Sequence, residues 1–195
     1  SFAGYVAVKL FGERRGVLLA AATGGLVSST AVTLANARRA AAGEGSQNLL
    51  AAGALLATAV SFVRIAAIIA VLKPSLLAPI APALLAAALA TTAFAFASVY
   101  SRSSRKEQQA PMQLRNPFSF WSVALMALSL GVLIVVGRLI YEHFGKAGAI
   151  SGAAAMGLFD VDAMTISMIR LASSSLESMT VTYAVLAGVA ANTLS

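Results

Sequence analysis

From Leu49 to Leu72 the chain runs 24 residues with Arg64 as its only charge, and Leu76 to Tyr100 follows with none. A helix of about 20 apolar residues crosses the hydrocarbon of a bilayer. Backbone groups in lipid must be satisfied within the protein, so two such runs in succession dictate a helical hairpin through a membrane. The whole composition agrees. Of 195 residues 59% are hydrophobic and 11% charged, and the mean hydropathy of +0.85 lies outside the range of a soluble domain of this size.

The charge balance is basic, with 14 Lys and Arg against 7 acids. On a polytopic protein such an excess belongs to cytoplasmic loops and anionic headgroups, so the expected partner is the bilayer and not nucleic acid. No cysteine is present, which excludes disulfides, thiolate metal sites and cysteine nucleophiles within this chain. The expected location is a membrane, crossed several times.

Taken in order, Ser1 to Leu10 is apolar but too short to span, and Ser195 ends the chain inside an apolar run. Both ends are expected to be cuts from a longer protein, with a membrane region missing at the N-terminus. After the polar elbow Lys9 to Arg15, the stretch Gly16 to Ala42 is interrupted by Thr23-Gly24-Gly25 and Ser28-Ser29-Thr30. Glycines followed by hydroxyls fit a helix break with a new N-cap. They equally fit a continuous helix whose hydroxyls bond back to their own carbonyls.

In the next span Arg64 lies eight residues from the Leu72 end, about 12 Å along a helix. Snorkelling to the interface is strained at that depth, so a partner inside the bundle is expected. Lys73-Pro74 closes this helix, and Pro79 and Pro82 fall in the first two turns of the next, where proline is tolerated. Ser101 to Pro117 carries Arg102, Arg105, Lys106 and Arg115 against Glu107 and is expected to be a cytoplasmic linker. It divides the chain into a first membrane repeat, 1–100, and a second, 118–195. Phe118 to Tyr141 is the next expected span, with Arg138 near its end as a further candidate charge partner. His143 follows in a polar connection.

The most unusual stretch is MGLFDVDAMTISMIR, Met156 to Arg170, which sets Asp160 and Asp162 in an apolar segment. An ionisable residue at membrane depth costs about 2.5–3.5 kcal/mol on insertion scales, which makes it a candidate site by default. The stretch echoes an earlier one. GLVSSTAVTLANARRA aligns with GLFDVDAMTISMIRLA through Gly25/Gly157, Leu26/Leu158, Ala31/Ala163, Thr33/Thr165, Arg38/Arg170 and Ala40/Ala172, and further along Gly53 and Thr58 fall over Gly188 and Thr193 if the intervening loop differs by about three residues. Internal duplication is expected; chance similarity between two Ala- and Gly-rich helices is the competing account.

On a regular helix Asp160 and Asp162 would point about 200° apart. Gly157 before them therefore suggests a break, with one aspartate capping the second half-helix. Carboxylates with freed carbonyls are ligands for a hard cation such as Mg²⁺. The expected ion or metal site is Asp160 and Asp162, with neutral oxygens from Ser28, Ser29 and Thr30 of the first copy. Thr33, Thr165 and Asn192 are lining candidates, and Arg64 and Arg138 are candidate buried partners of the acids. No other cofactor is expected. The structural alternative makes one Asp a cap and pairs the other with Arg64 or Arg138.

Enzyme readings fail on residue placement. An intramembrane aspartyl protease needs its acids on two helices, a rhomboid-like serine site needs an embedded His, and no Walker sequence is present. GGLVSSTAVTLANARRA, GLFDVDAMTISMIRLA and the opening SFAGYVAVKLFGERRG resemble the membrane domain that follows the MgtC/SapB-type region in some bacterial and archaeal membrane proteins. That resemblance covers almost the whole chain and implies a prokaryotic inner-membrane protein associated with magnesium homeostasis and transport. It carries over no site residues.

The expected fold is an all-α polytopic bundle of about seven segments, built from two repeats with a broken or bent helix in each. The repeats are parallel if each segment crosses once and inverted if the segments at Gly25 or Gly157 are re-entrant. The expected function is transport of a cation, divalent or proton-coupled. A membrane-embedded regulatory or scaffolding protein without transport activity, with a well-paired core and a partner surface of the kind that small-residue patterns such as Gly148/Gly152 suit, is the other class considered.

Overall fold

The computed structural model describes residues 15–100, 128, 148–172 and 177–194; these hold seven α-helical segments and no strand. The first, α1, covers 15–25, followed by α2 (Ser29–Ala41) and α3 (Gln47–Leu72). A 3-10 turn, Pro74–Leu76, leads into α4 (Leu77–Tyr100). The remaining segments are α5 (148–157), α6 (Val161–Ala172) and α7 (Ser178–Leu194). The linker Ser101 to Pro117, the expected span Phe118 to Tyr141, Arg138 and His143 lie outside the described residues.

The framework divides into two compact units, Ser1–Arg64 with Leu84–Pro117, and Ile65–Ala83 with Phe118–Ser195. Both boundaries fall inside helices, so α3 and α4 each contribute to two units. These are the two helices long and apolar enough to cross a membrane, and most of each apolar stretch faces outward. The buried side of α3 includes Ala57, Ser61, Ile65 and Ile69 at four-residue spacing, with Leu49, Leu50, Ala52, Ala59 and Phe62 beside them; on the 3-10 turn and α4 it is Leu76, Ile80, Leu84 and Ala95. Leu85, Leu89, Phe94 and Phe96 are exposed on α4. The core helix of a soluble protein would bury such side chains.

The stretch Gly16 to Ala42, expected to be one broken or bent membrane segment, is interrupted at 26–28 and folds back on itself. Ala21 of α1 and Asn36 of α2 both lie against Gly53 of α3, although in a straight helix they would be about 22 Å apart. Near the turn, Val32 lies against Gly24. Val17 and Ala21 meet Gly53 while Gly25 meets Ala57, so α1 runs in the same direction as α3, and α2 returns antiparallel to both. The open end is closed by a Schellman motif, in which Gly43 N–H donates to Ala40 O (3.1 Å) and Glu44 N–H to Arg39 O (2.9 Å). Gly43 takes φ +71°, a left-handed conformation that favours glycine.

In the second unit, Ala153 of α5 and Met164 of α6 both meet Gly188 of α7. A straight helix would hold them about 16 Å apart. Here too the segment folds back, and α6 packs along α7. Gly157 lies directly on the Gly188 backbone. In a bilayer, where lipid is as apolar as leucine, close approach of this kind supplies dispersion contacts that drive helix association.

Candidate functional site

Each hairpin turns through the same local structure, displaced by 132 residues from Gly25 to Gly157. At the first turn Val27 N–H and Ser28 N–H donate to Gly24 O (both 2.9 Å), and Val32 N–H to Ser28 O (3.2 Å). At the second, Phe159 N–H and Asp160 N–H donate to Met156 O (3.1 and 3.0 Å), and Met164 N–H to Asp160 O (3.1 Å). Ser28, extended at φ −162° and ψ 113°, is the N-cap of α2, with its Oγ accepting from Ala31 N–H. Asp160 does the same for α6. Its Oδ1 accepts from Asp162 N–H (2.9 Å) and Ala163 N–H (3.0 Å), satisfying two of the amides that a helix start leaves open.

The sequence placed a cap at Asp160 or Asp162, and Asp160 fills it. Its second oxygen, Oδ2, accepts no hydrogen bond among the described residues. Asp162 follows in the first turn of α6. Both are half-buried. No group of three or more His, Cys, Asp or Glu side chains gathers among the described residues.

The other candidates divide between the two turns. Ser28, Ser29 and Thr30 form the start of α2, with Ser29 buried and Thr30 exposed, and Thr33 is exposed one turn on. Thr165 is fully buried and donates to Val161 O at 2.7 Å, the back-bonded state common for hydroxyls in apolar helices. Asn192 is half-buried on α7.

Arg64 binds backbone at the end of α1. Its Nη1 donates to Leu26 O (2.8 Å) and Gly25 O (3.3 Å), the carbonyls that α1 leaves open where it ends. A cation at a helix C-terminus is favoured by the helix dipole as well as by these bonds. On the same face of α3, one turn before Arg64, the Ser61 hydroxyl is buried with no hydrogen-bond partner among the described residues.

Three residues with structural parts had no signal as sites in the sequence. Asn36 is buried and its Nδ2 donates to Leu50 O (3.0 Å), tying α2 to the start of α3. Lys73 was expected only to end a helix, yet its Nζ donates to Ala172 O (2.9 Å), the last residue of α6. Ser61 is an ordinary hydroxyl in an apolar run. An isolated Asn at helical spacing after a Ser/Thr cluster is the one pattern here that could have been found.

These features define an all-helical protein with two membrane-length apolar helices and two folded-back helical hairpins, each turning on a polar cap. The chain belongs to the family described as Domain of unknown function (DUF4010), whose model matches residues 1–195. It is also similar to an uncharacterized protein of Aquifex aeolicus (strain VF5), 25% identical over 155 residues, which covers 80% of this chain and 67% of that protein. No solved structure matches.

Proposed function

We propose that the protein is a polytopic inner-membrane transporter or channel for a cation, divalent or proton-coupled, with Asp160 and Asp162 in its site. The observation that carries this is the state of Asp160. One carboxylate oxygen holds the start of α6 while the other accepts nothing among the described residues, at a turn whose neighbours Leu158 and Phe159 are exposed apolar side chains. A carboxylate oxygen in such surroundings is stabilised by a cation, and Asp162 adds a second charge for a divalent one. The kinship with domains that follow MgtC/SapB-type regions rests on the motif resemblance, and the family description names no activity.

The two hairpins are read as copies of one ancestral unit. Their turns share hydrogen bonds at a constant offset, and Gly53 meets Ala21 as Gly188 meets Ala153. Because the first copy caps with serine, it also supplies the control. The experiment is cation flux into proteoliposomes by the full-length protein, comparing the parent with Asp160→Ser, Asp160→Ala and Asp162→Asn. Asp160→Ser keeps a cap that the fold already uses while removing the charge, so it is expected to stay folded and lose flux. Parental flux in Asp160→Ser and Asp162→Asn would refute the site.

One observation favours the regulatory or scaffolding alternative. Asp160 and Arg64 each have a structural duty at a helix end, which accounts for a carboxylate and a guanidinium in apolar helices without transport. A parent that moves no cation under any ion or proton gradient would select that reading.

A further inference from the structure

The charges of the first hairpin gather at its open end. Val17 of α1 and Asn36 of α2 both lie against Gly53, and from that level both arms lead toward the Gln47 end of α3, where the Asn36–Leu50 bond ties them. Arg15 stands two residues past Val17 in that direction, and Arg38 and Arg39 two and three past Asn36. At about 1.5 Å per residue this sets their Cα atoms about 3–5 Å beyond Gly53, close to the level of Leu50. α3 turns apolar at Leu49 and has no acidic residue in its first turn. The water boundary of a membrane-crossing helix falls there, and a long cationic side chain at such a boundary reaches the headgroup layer.

These cations are little engaged by the protein itself. Arg15 and Arg38 are exposed, and neither takes part in an ion pair among the described residues. Arg39 Nε stands 3.9 Å from Glu44 Oε2, too far for a hydrogen bond, and has no hydrogen-bond partner among the described residues. Three guanidinium groups therefore face one carboxylate. Beneath each exposed arginine the surface turns apolar. Leu19 lies four residues from Arg15 on α1 and Leu34 four residues from Arg38 on α2, the spacing of neighbours on one helix face, and the two leucines are 44% and 50% exposed.

We propose that the open end of the first hairpin binds an anionic phospholipid, with its headgroup phosphate held by Arg38, Arg39 and Arg15 and its acyl chains along Leu34 and Leu19. This rests on the membrane reading above. A guanidinium donates to phosphate oxygens in a bidentate fork. The positive charge that Glu44 leaves unbalanced favours a lipid of net negative charge over a zwitterionic one. The exposed leucine one turn deeper than each exposed cation matches an amphiphile, whereas a free phosphate ion would make no use of it.

The test offers phosphatidylglycerol or phosphatidylcholine with the same acyl chains to the full-length protein in an uncharged detergent, and counts bound lipid by native mass spectrometry. The parent is expected to retain phosphatidylglycerol in preference. Arg38→Gln and Arg39→Gln should each weaken that retention about fivefold, the factor that one arginine is worth near an anionic surface. Glu44→Gln should strengthen it by a similar factor, a gain that misfolding cannot produce. Equal retention of the two lipids, or parental retention of phosphatidylglycerol by the double variant Arg38→Gln/Arg39→Gln, would overturn the site. Displacement of the lipid by inorganic phosphate at constant ionic strength would overturn the lipid as its occupant in favour of a free anion. Release of the full-length protein from membranes by alkaline carbonate would instead remove the membrane reading on which the site rests.

Discussion

Gly157→Ala probes the closest approach of two helices in the second unit. A Cβ at position 157 would stand 2.6 Å from the Cα and the carbonyl carbon of Gly188, where ordinary contact begins at 3.4 Å. The shortfall is about 0.8 Å at those two carbons and larger at the Gly188 carbonyl oxygen, and it falls on backbone, so no side chain can rotate away to relieve it. The hairpin must then lift from α7. Overpacking of this kind costs about 1–3 kcal/mol. In a chain of this length, 2 kcal/mol lowers the melting temperature by about 4–8 °C. The assay is heating in detergent, scored by the fraction that stays monodisperse on size exclusion. Gly25→Ala sets the scale, because its Cβ would meet Ala57 Cα at 2.8 Å and O at 2.9 Å, a smaller overlap that should give a smaller loss. An unchanged or higher melting temperature for Gly157→Ala would refute the packing argument.

Asp160→Ala is expected to lower stability by about 1 kcal/mol through the lost cap, while Asp160→Ser keeps most of it; the same thermal assay ranks the two, and equal losses would count against the cap. Arg64→Gln removes charge-assisted bonds to two carbonyls, each worth about 1.5–3 kcal/mol, and should speed hydrogen exchange at the 26–31 amides more than in α4. Gly43→Ala meets nothing within 4 Å but must hold φ +71°, so it should cost about 1–2 kcal/mol from backbone strain alone and leave any flux per folded molecule unchanged.

The long helices were legible because run length and Pro74 set them. The sequence expected Leu49 to Leu72 and Leu76 to Tyr100, against the observed Gln47–Leu72 and Leu77–Tyr100. The helix interruptions were legible as well, from glycine followed by a residue able to cap. Their consequence was not. A 27-residue apolar stretch reads as a single crossing, and what turns it back is one extended residue at Ser28 together with the packing of Ala21 and Asn36 on Gly53. Neither term appears in hydrophobic periodicity. The sequence singled out Arg64 as needing a partner inside the protein, but backbone carbonyls such as Gly25 O and Leu26 O leave no mark in a sequence. The buried Thr165 shows the same limit, since its hydroxyl is consumed by Val161 of its own helix.

The shortness of α2 has a consequence for how such a chain is made. The ribosome delivers α1 and α2 before α3, yet a 13-residue helix such as α2 is marginal without a partner to pack on. The glycine that receives both of its arms, Gly53, and the alanine beneath its turn, Ala57, are synthesised later. The first hairpin's packing is therefore completed only after α3 has been made, and the folding of this unit runs behind its translation.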